Sequence, residues 1–215
     1  MCGILGFVGQ SDFNISEFSD ANDLLAHRGP NDSGIWTSEN KQVFLGHRRL
    51  SILDLSSKGS QPMKSKTGRF ITSFNGEIYN HLDIRRELEK KYSLSPNYWN
   101  GTSDTETLLS SIELQGLEKT LEVLLGMFSF AVWDDIKNTL FLARDRVGEK
   151  PLYFSVLDKK LYFSSELKAL KSLSKGRLQI SPDSLGLFFK YSYIPAPYSI
   201  YKNTFKLEAG SFLSI

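Results

Sequence analysis

Apolar and polar positions along the chain fall into blocks of different period. Residues 4–8 are apolar and punctuated by Gly3, Gly6 and Gly9, which predicts a strand with close backbone approach at its glycines. A helix is expected over residues 16–25, then a loop at His27-Arg28-Gly29-Pro30-Asn31-Asp32 on its Gly, Pro and Asx chemistry. Short strands are expected over residues 34–37, 43–47, 50–53 and 69–74. Asn75-Gly76-Glu77 reads as a hairpin turn into Ile78-Tyr79. A charged helical pattern covers residues 84–92. Leu108, Leu109 and Ile112 recur at helical spacing within residues 105–114, and residues 117–125 repeat it. Two hairpins follow, pairing residues 127–133 with 139–143 and 152–156 with 161–164, before a helix over 166–173. Strands, then helices, then strands, without βαβ alternation, favour largely antiparallel sheets covered by helices.

The pattern changes near Lys175. Pro182, Pro195 and Pro197 fall close together among Tyr191, Tyr193, Tyr198 and Tyr201. A helix over residues 182–191 is expected, with Ser181 as N-cap and Pro182 at the first helical position. The rest is extended and ends in the strand-like Phe212-Leu213-Ser214-Ile215.

Composition narrows the classes of function. The chain has 215 residues, 40% hydrophobic and 23% charged, which suits one large folded domain and excludes disorder. Lys and Arg number 26 against 24 Asp and Glu, so the formal net charge of +2 gives no electrostatic case for nucleic acid or an anionic membrane. No apolar run reaches the roughly 18–20 residues of a membrane span. The N-terminus lacks the basic region of a signal peptide. One cysteine forms no internal disulfide, and a reducing, cytoplasmic setting fits. There is no P-loop, GxGxxG, GxSxG or HExxH, and His27, His47 and His81 have no zinc-ligand spacing.

Candidate chemistry begins at Cys2. Removal of the small-residue-flanked Met1 would make Cys2 the first residue. Its α-amine, with a reference pKa of about 7.7–8.0, would then stand beside a thiol of about 8.5. That is close enough for the amine to take the thiol proton, which activates a terminal nucleophile. The competing reading is a buried, inert cysteine, weakened by a position at a chain terminus. Asn75 and the Gly76 N–H offer two donors for an oxyanion, against a plain turn. Arg49 can clamp a carboxylate in a bidentate pair, against ordinary surface charge. Asp104 can pair with an ammonium, against a helix N-cap role for Ser103-Asp104. Together these groups suit an α-amino acid carrying an acyl side chain.

The motifs also carry a resemblance. They are Met1-Cys2-Gly3-Ile4, His27-Arg28-Gly29-Pro30 with Gly34, and the run from His47 through Asp54 (HRRLSILD). Phe74-Asn75-Gly76-Glu77-Ile78-Tyr79-Asn80, Ser103-Asp104-Thr105-Glu106, residues 126–131 (GMFSFA) and residues 143–154 (ARDRVGEKPLYF) follow in order. With this set the chain resembles the glutaminase domain of asparagine synthetases, in the class II glutamine amidotransferase family of N-terminal nucleophile enzymes. The likeness runs from residue 1 to about 170. The spacing after Arg28-Gly29-Pro30 points to the asparagine-synthetase branch, and Asn31 stands where that family often has Asp.

The resemblance implies an α+β fold, a four-layer αββα sandwich. It implies that Cys2 attacks the glutamine side-chain amide and becomes a γ-glutamyl thioester, with its α-amine shuttling protons. Asn75 and Gly76 would hold the oxyanion, Arg49 the substrate carboxylate, and Glu77 and Asp104 its ammonium. Backbone groups of Leu50, Ile52 and Leu53 would line the same pocket. No metal or organic cofactor is expected for this half reaction. ATP and Mg belong to a synthetase domain whose SGGxDS-type loop is absent from the sequence. The chain is therefore expected to be a glutaminase domain over residues 1–175 with a tail, 176–215, resembling the join to that domain. It would be a fragment or half of a split system. Glutamine and a synthetase domain, fused or separate, are the expected partners; a homodimer is an open expectation. Two other readings compete: a non-catalytic regulatory or interaction domain on this fold, and a different amide hydrolase of the same fold class.

Overall fold

The computed structural model describes residues 1–215. In chain order its strands are β1 (Gly3–Val8), β2 (Asp32–Thr37), β3 (Val43–Arg49), β4 (Met63–Lys64), β5 (Phe70–Ile78), β6 (Gly126–Asp134), β7 (Thr139–Arg144), β8 (Tyr153–Leu157), β9 (Lys160–Ser164), β10 (Thr204–Lys206) and β11 (Phe212–Ser214). Its helices are α1 (Ile15–Asp23), α2 (His81–Tyr92), α3 (Asp104–Gln115), α4 (Leu117–Val123), α5 (Leu167–Leu173) and α6 (Pro182–Tyr191). The strands form two wholly antiparallel sheets, one ordered β10-β8-β9-β1-β3-β2 and the other β11-β7-β6-β5-β4.

Strand alternation builds the layers. A period of two sends successive side chains to opposite faces. In β1, Leu5 and Phe7 pack with Phe18, Phe44, Tyr162 and Leu170 beneath α1 and α5. Ile4 points the other way, between the sheets, with Leu45, Ile71, Trp133, Leu142 and Phe163. In β5, Phe70, Phe74 and Ile78 meet Leu88, Leu108 and Ile112 of α2 and α3. Three apolar layers thus separate four structural ones, helices–sheet–sheet–helices, the αββα sandwich expected from the motifs.

Two local expectations are corrected. Residues 50–53 form no strand, because their donors are taken by side chains: Leu50 N–H donates to Cys2 Sγ and Ser51 N–H to Asn31 Oδ1. Asn75-Gly76-Glu77 is no turn but lies inside β5, where Asn75 faces Ser129 and Gly76 faces Phe128. Neither Asn75 nor Gly76 has the positive φ of a type I′ turn. Gly76 is needed for another reason: a Cβ there would strike the Met127 carbonyl and Phe128 on β6. The helix at Pro182 is capped as expected, Ser181 accepting from the Ser184 N–H. Residues 176–215 contribute α6 and then one strand to each sheet, β10 against β8 and β11 against β7.

Gly6 faces the inter-sheet layer, where a Cβ would run into the fully buried ring of Phe163. Gly6→Ala is expected to lower unfolding stability by about 1–3 kcal/mol. A urea titration would show this as a lower midpoint at unchanged slope. An unmoved midpoint would show that the ring has room to yield.

Candidate active site

Cys2 leads into β1, a central strand. Its carbonyl accepts a 2.9 Å bond from Arg28 Nε, and Arg28 is braced in turn by Glu166 at 3.0 Å. The thiol lies beside the turn that leaves β3, with Sγ 3.4 Å from the Leu50 nitrogen and 3.7 Å from its carbonyl oxygen. Burial pushes the thiol pKa up, against the opposing pull of the Leu50 N–H, the positive chain terminus and Arg49. Met1 borders the same pocket, so its removal would both free the Cys2 amine and widen the space.

The open edge of β5 supplies the donors. β4 is two residues long and covers only Ile71 and Thr72. Beyond it, alternate N–H groups of β5 face the pocket, because adjacent residues in an antiparallel strand point their backbone groups to opposite edges. Phe74 N–H donates to Gln61 Oε1 at 2.7 Å, and Ile78 N–H to Asp104 Oδ2 at 2.9 Å. Gly76 lies between them with the same orientation. Its facing residue on β6, Phe128, spends its own N–H and carbonyl on Asp145, so the Gly76 N–H is directed into the pocket. The Asn75 side chain beside it is 1% exposed, and neither its Oδ1 nor its Nδ2 has a partner. Buried polar atoms almost always find partners, so an unpaired amide on a pocket wall is fitted to a ligand.

The charges come from different elements. Arg49, 7% exposed at the end of β3, donates to the carbonyls of Ser56 (3.0 Å) and Asp54, and makes no salt bridge with any carboxylate. Its positive charge is thus available to an anion. Asp104 opens α3, with Ser103 as the N-cap accepting from Glu106 N–H. Asp104 is therefore not the cap, and its carboxylate turns to β5. Burial raises its pKa to about 6, with Glu77 adding to the rise. A buried acid held high in this way gains from an incoming ammonium. No group of three or more His, Cys, Asp or Glu side chains gathers as a metal-ligand set.

All nine residues singled out in the sequence, Cys2, Arg49, Leu50, Ile52, Leu53, Asn75, Gly76, Glu77 and Asp104, line this one pocket. Gln61, Met127 and Lys150 also line it and had been given no role. Met127 and Lys150 fall within the quoted motifs; Gln61 carries no spacing or composition signal.

A family model described as a glutamine amidotransferase domain matches residues 1–215. The chain is 34% identical to asparagine synthetase (glutamine-hydrolyzing) 1 of Bacillus subtilis strain 168, over all of this chain and 33% of that protein. It is 40% identical to asparagine synthetase (glutamine-hydrolyzing) 3 of the same strain, over 79% of this chain and 27% of that one. The chain thus spans less than half the length of the curated relatives it matches. Among solved structures, an allosteric regulatory enzyme of purine biosynthesis superposes over the whole chain and 47% of its own, with a TM-score of 0.70 at 19% identity. Glutamine phosphoribosylpyrophosphate amidotransferase from B. subtilis covers 80% of this chain and 44% of its own, with a TM-score of 0.66 at 20% identity. These two likenesses concern the fold.

The raised Asp104 pKa has a stability consequence. Between its ordinary value of 3.8 and about 6 the native state holds more protons than the unfolded chain. Stability from this group therefore falls as pH rises through that window, leaving a cost at neutral pH. Asp104→Asn is expected to be more stable than wild type at pH 7.5 by about 1–3 kcal/mol. The gap should close towards pH 4. Urea titrations at both pH values check this; an Asn variant less stable at pH 7.5 would contradict the burial cost.

Proposed function

The chain belongs to the glutamine amidotransferase domain family, and on that premise we propose that it hydrolyses L-glutamine to glutamate and ammonia with Cys2 as nucleophile. The observation that carries the reading is the unpartnered Asn75 amide and the free Gly76 N–H in the same pocket as a half-buried thiol.

The chemistry follows from the charges and donors. Arg49 takes the substrate α-carboxylate, while Asp104 and Glu77 take its ammonium, so the side-chain amide is delivered towards Cys2. With Met1 removed, the Cys2 α-amine accepts the thiol proton. Sulfur then adds to the amide carbon, and the carbonyl π pair moves onto oxygen. Asn75 Nδ2 and the Gly76 N–H stabilise that oxyanion, which is charge present only in the transition state and intermediate. Collapse breaks the C–N bond, and the amine returns its proton to the departing nitrogen, releasing ammonia. Water then adds to the γ-glutamyl thioester, the C–S bond breaks, and glutamate leaves. This half reaction uses no cofactor.

The identities to asparagine synthetases support an extension of the reading. The ammonia passes to an ATP- and Mg-dependent synthetase domain, fused or separate, with aspartate as acceptor. A reducing, cytoplasmic setting keeps the thiol usable.

Incubation with a diazo-ketone analogue of glutamine should add one label to a Met1-free chain, and excess glutamine should block it. Intact mass reads the result. Cys2→Ala should lose both the label and glutamine turnover while keeping its thermal transition. Turnover by pure Cys2→Ala protein would remove Cys2 from the mechanism. A folded, processed wild-type chain that neither labels nor turns over would favour a non-catalytic binding domain.

A further inference from the structure

We propose that Gln61 is a positioning residue for the oxyanion site, acting with His47 to clamp the peptide units of β5 immediately before Asn75 and Gly76. The proposal rests on the glutaminase reading above and assigns work to two residues that the reading does not use.

The need for a clamp comes from the sheet. β5 is paired along its whole length with β6 on one side, but β4 covers only Ile71 and Thr72 on the other. Over the next residues the edge has no strand to fix it. Unpaired buried backbone groups are costly, and an edge without a ladder is free to shift. Here side chains replace the ladder. Gln61 Oε1 accepts from the Phe74 N–H at 2.7 Å, and His47 Nε2 lies 3.0 Å from the Phe74 carbonyl oxygen. Both exposed-edge groups of Phe74 are thus held by side chains.

Each clamp is itself fixed. His47 sits fully buried on β3, in the facing sheet. Burial holds its pKa down at about 4, so the ring is neutral at assay pH. A neutral imidazole facing a carbonyl must place its proton on Nε2, which leaves Nδ1 bare, and Nδ1 has no partner. Gln61 is 8% exposed, and its Nε2 donates to Thr105 Oγ1 at 3.3 Å. Its own carbonyl oxygen lies so close to Gly34 of β2 that a Cβ at residue 34 would overlap it. Gln61 therefore ties three elements: β2 through its backbone, β5 through its amide oxygen, and the first turn of α3 through its amide nitrogen. That turn carries Asp104, whose carboxylate is held separately by the Ile78 N–H at 2.9 Å.

The consequence for chemistry is specific. The Gly76 N–H points the same way as the Phe74 N–H, two residues along. Fixing Phe74 therefore fixes the direction of the oxyanion donor, and misdirected donors lose transition-state stabilisation first. Gln61 makes no hydrogen bond to Arg49, the residue assigned to the α-carboxylate. Loss of Gln61 should then lower kcat with little change in KM.

The test compares wild type with Gln61→Met, which keeps the length of the side chain and removes both hydrogen bonds. Two probes separate positioning from general damage. L-glutamate reports the α-carboxylate and ammonium contacts. The aldehyde analogue of glutamine, with –CHO in place of the amide, reports the oxyanion site: sulfur bonds to the aldehyde carbon, the carbonyl π pair moves to oxygen, and the thiol proton ends on that oxygen. Gln61→Met is expected to lose at least about tenfold in kcat and in aldehyde affinity, with glutamate affinity changed less than about threefold. Thr105→Val, which frees only the far end of Gln61, should move the same quantities in the same direction by less. It carries the test if Gln61→Met does not fold. His47→Gln, which keeps a donor near the Nε2 position, should stay closer to wild type than His47→Leu. Unchanged kcat in both Gln61→Met and Thr105→Val, or an equal loss of glutamate and aldehyde affinity, overturns the positioning role in a chain whose wild type is active. An inactive, unlabelled wild type instead overturns the glutaminase reading, and the positioning role falls with it.

Discussion

The structure turns on a strand edge that is left partly unpaired. Every backbone N–H in a buried strand must find an acceptor. Along the pocket side of β5, within five residues, an amide side chain meets the Phe74 N–H and a carboxylate the Ile78 N–H, while the Gly76 N–H between them has no partner within the protein. The two-residue length of β4 creates this gap. A longer β4 would have completed the ladder and closed the site. The sandwich supplies the stiffness that lets such a gap persist, since β5 is backed by a full-length pairing with β6 and by an apolar layer under α2 and α3.

Electrostatics divides the pocket along the same line. The start of β1 and the end of β3 bring the thiol and a buried guanidinium without a carboxylate partner. The β5 edge and α3 bring the acids and the hydrogen-bond donors. Burial of the Asp104 carboxylate costs stability, and on the proposed reading an amino acid bearing both charges would pair with both groups at once. The raised pKa of Asp104 is one measure of that cost. On the proposed reading a zwitterion would suit the site better than a monoanion or a monocation.

Much of the architecture was legible in the sequence, because its signals are local. Period-two alternation, the Ser181-Pro182 cap and the helical spacing at Leu108, Leu109 and Ile112 depend only on neighbouring residues. The nine candidate residues were legible because they lie in compact motifs. What escaped was decided over long range. Asn75-Gly76 has the composition of a turn, yet tertiary pairing with Ser129 and Phe128, some fifty residues on, makes it strand. The apolar run at residues 50–53 was expected to pair, yet its first donors meet Cys2 and Asn31. Gln61 gave no signal, because its importance lies in where its amide ends rather than in its neighbours in sequence.

The place of β1 has a consequence for the life of the chain before it is complete. Cys2 leads into β1, which lies inside its sheet, paired on one side with β3 and on the other with β9, so that Leu5 faces Ser164. During synthesis β1 emerges well before β9, which begins at Lys160. For that interval β1 lacks the second partner that will enclose it. Once β9 arrives, the same end is enclosed, with its carbonyl tied to Arg28 and its thiol against Leu50. The end of β1 thus passes from open to enclosed, and the timing is set by the distance along the chain between this strand and its last partner.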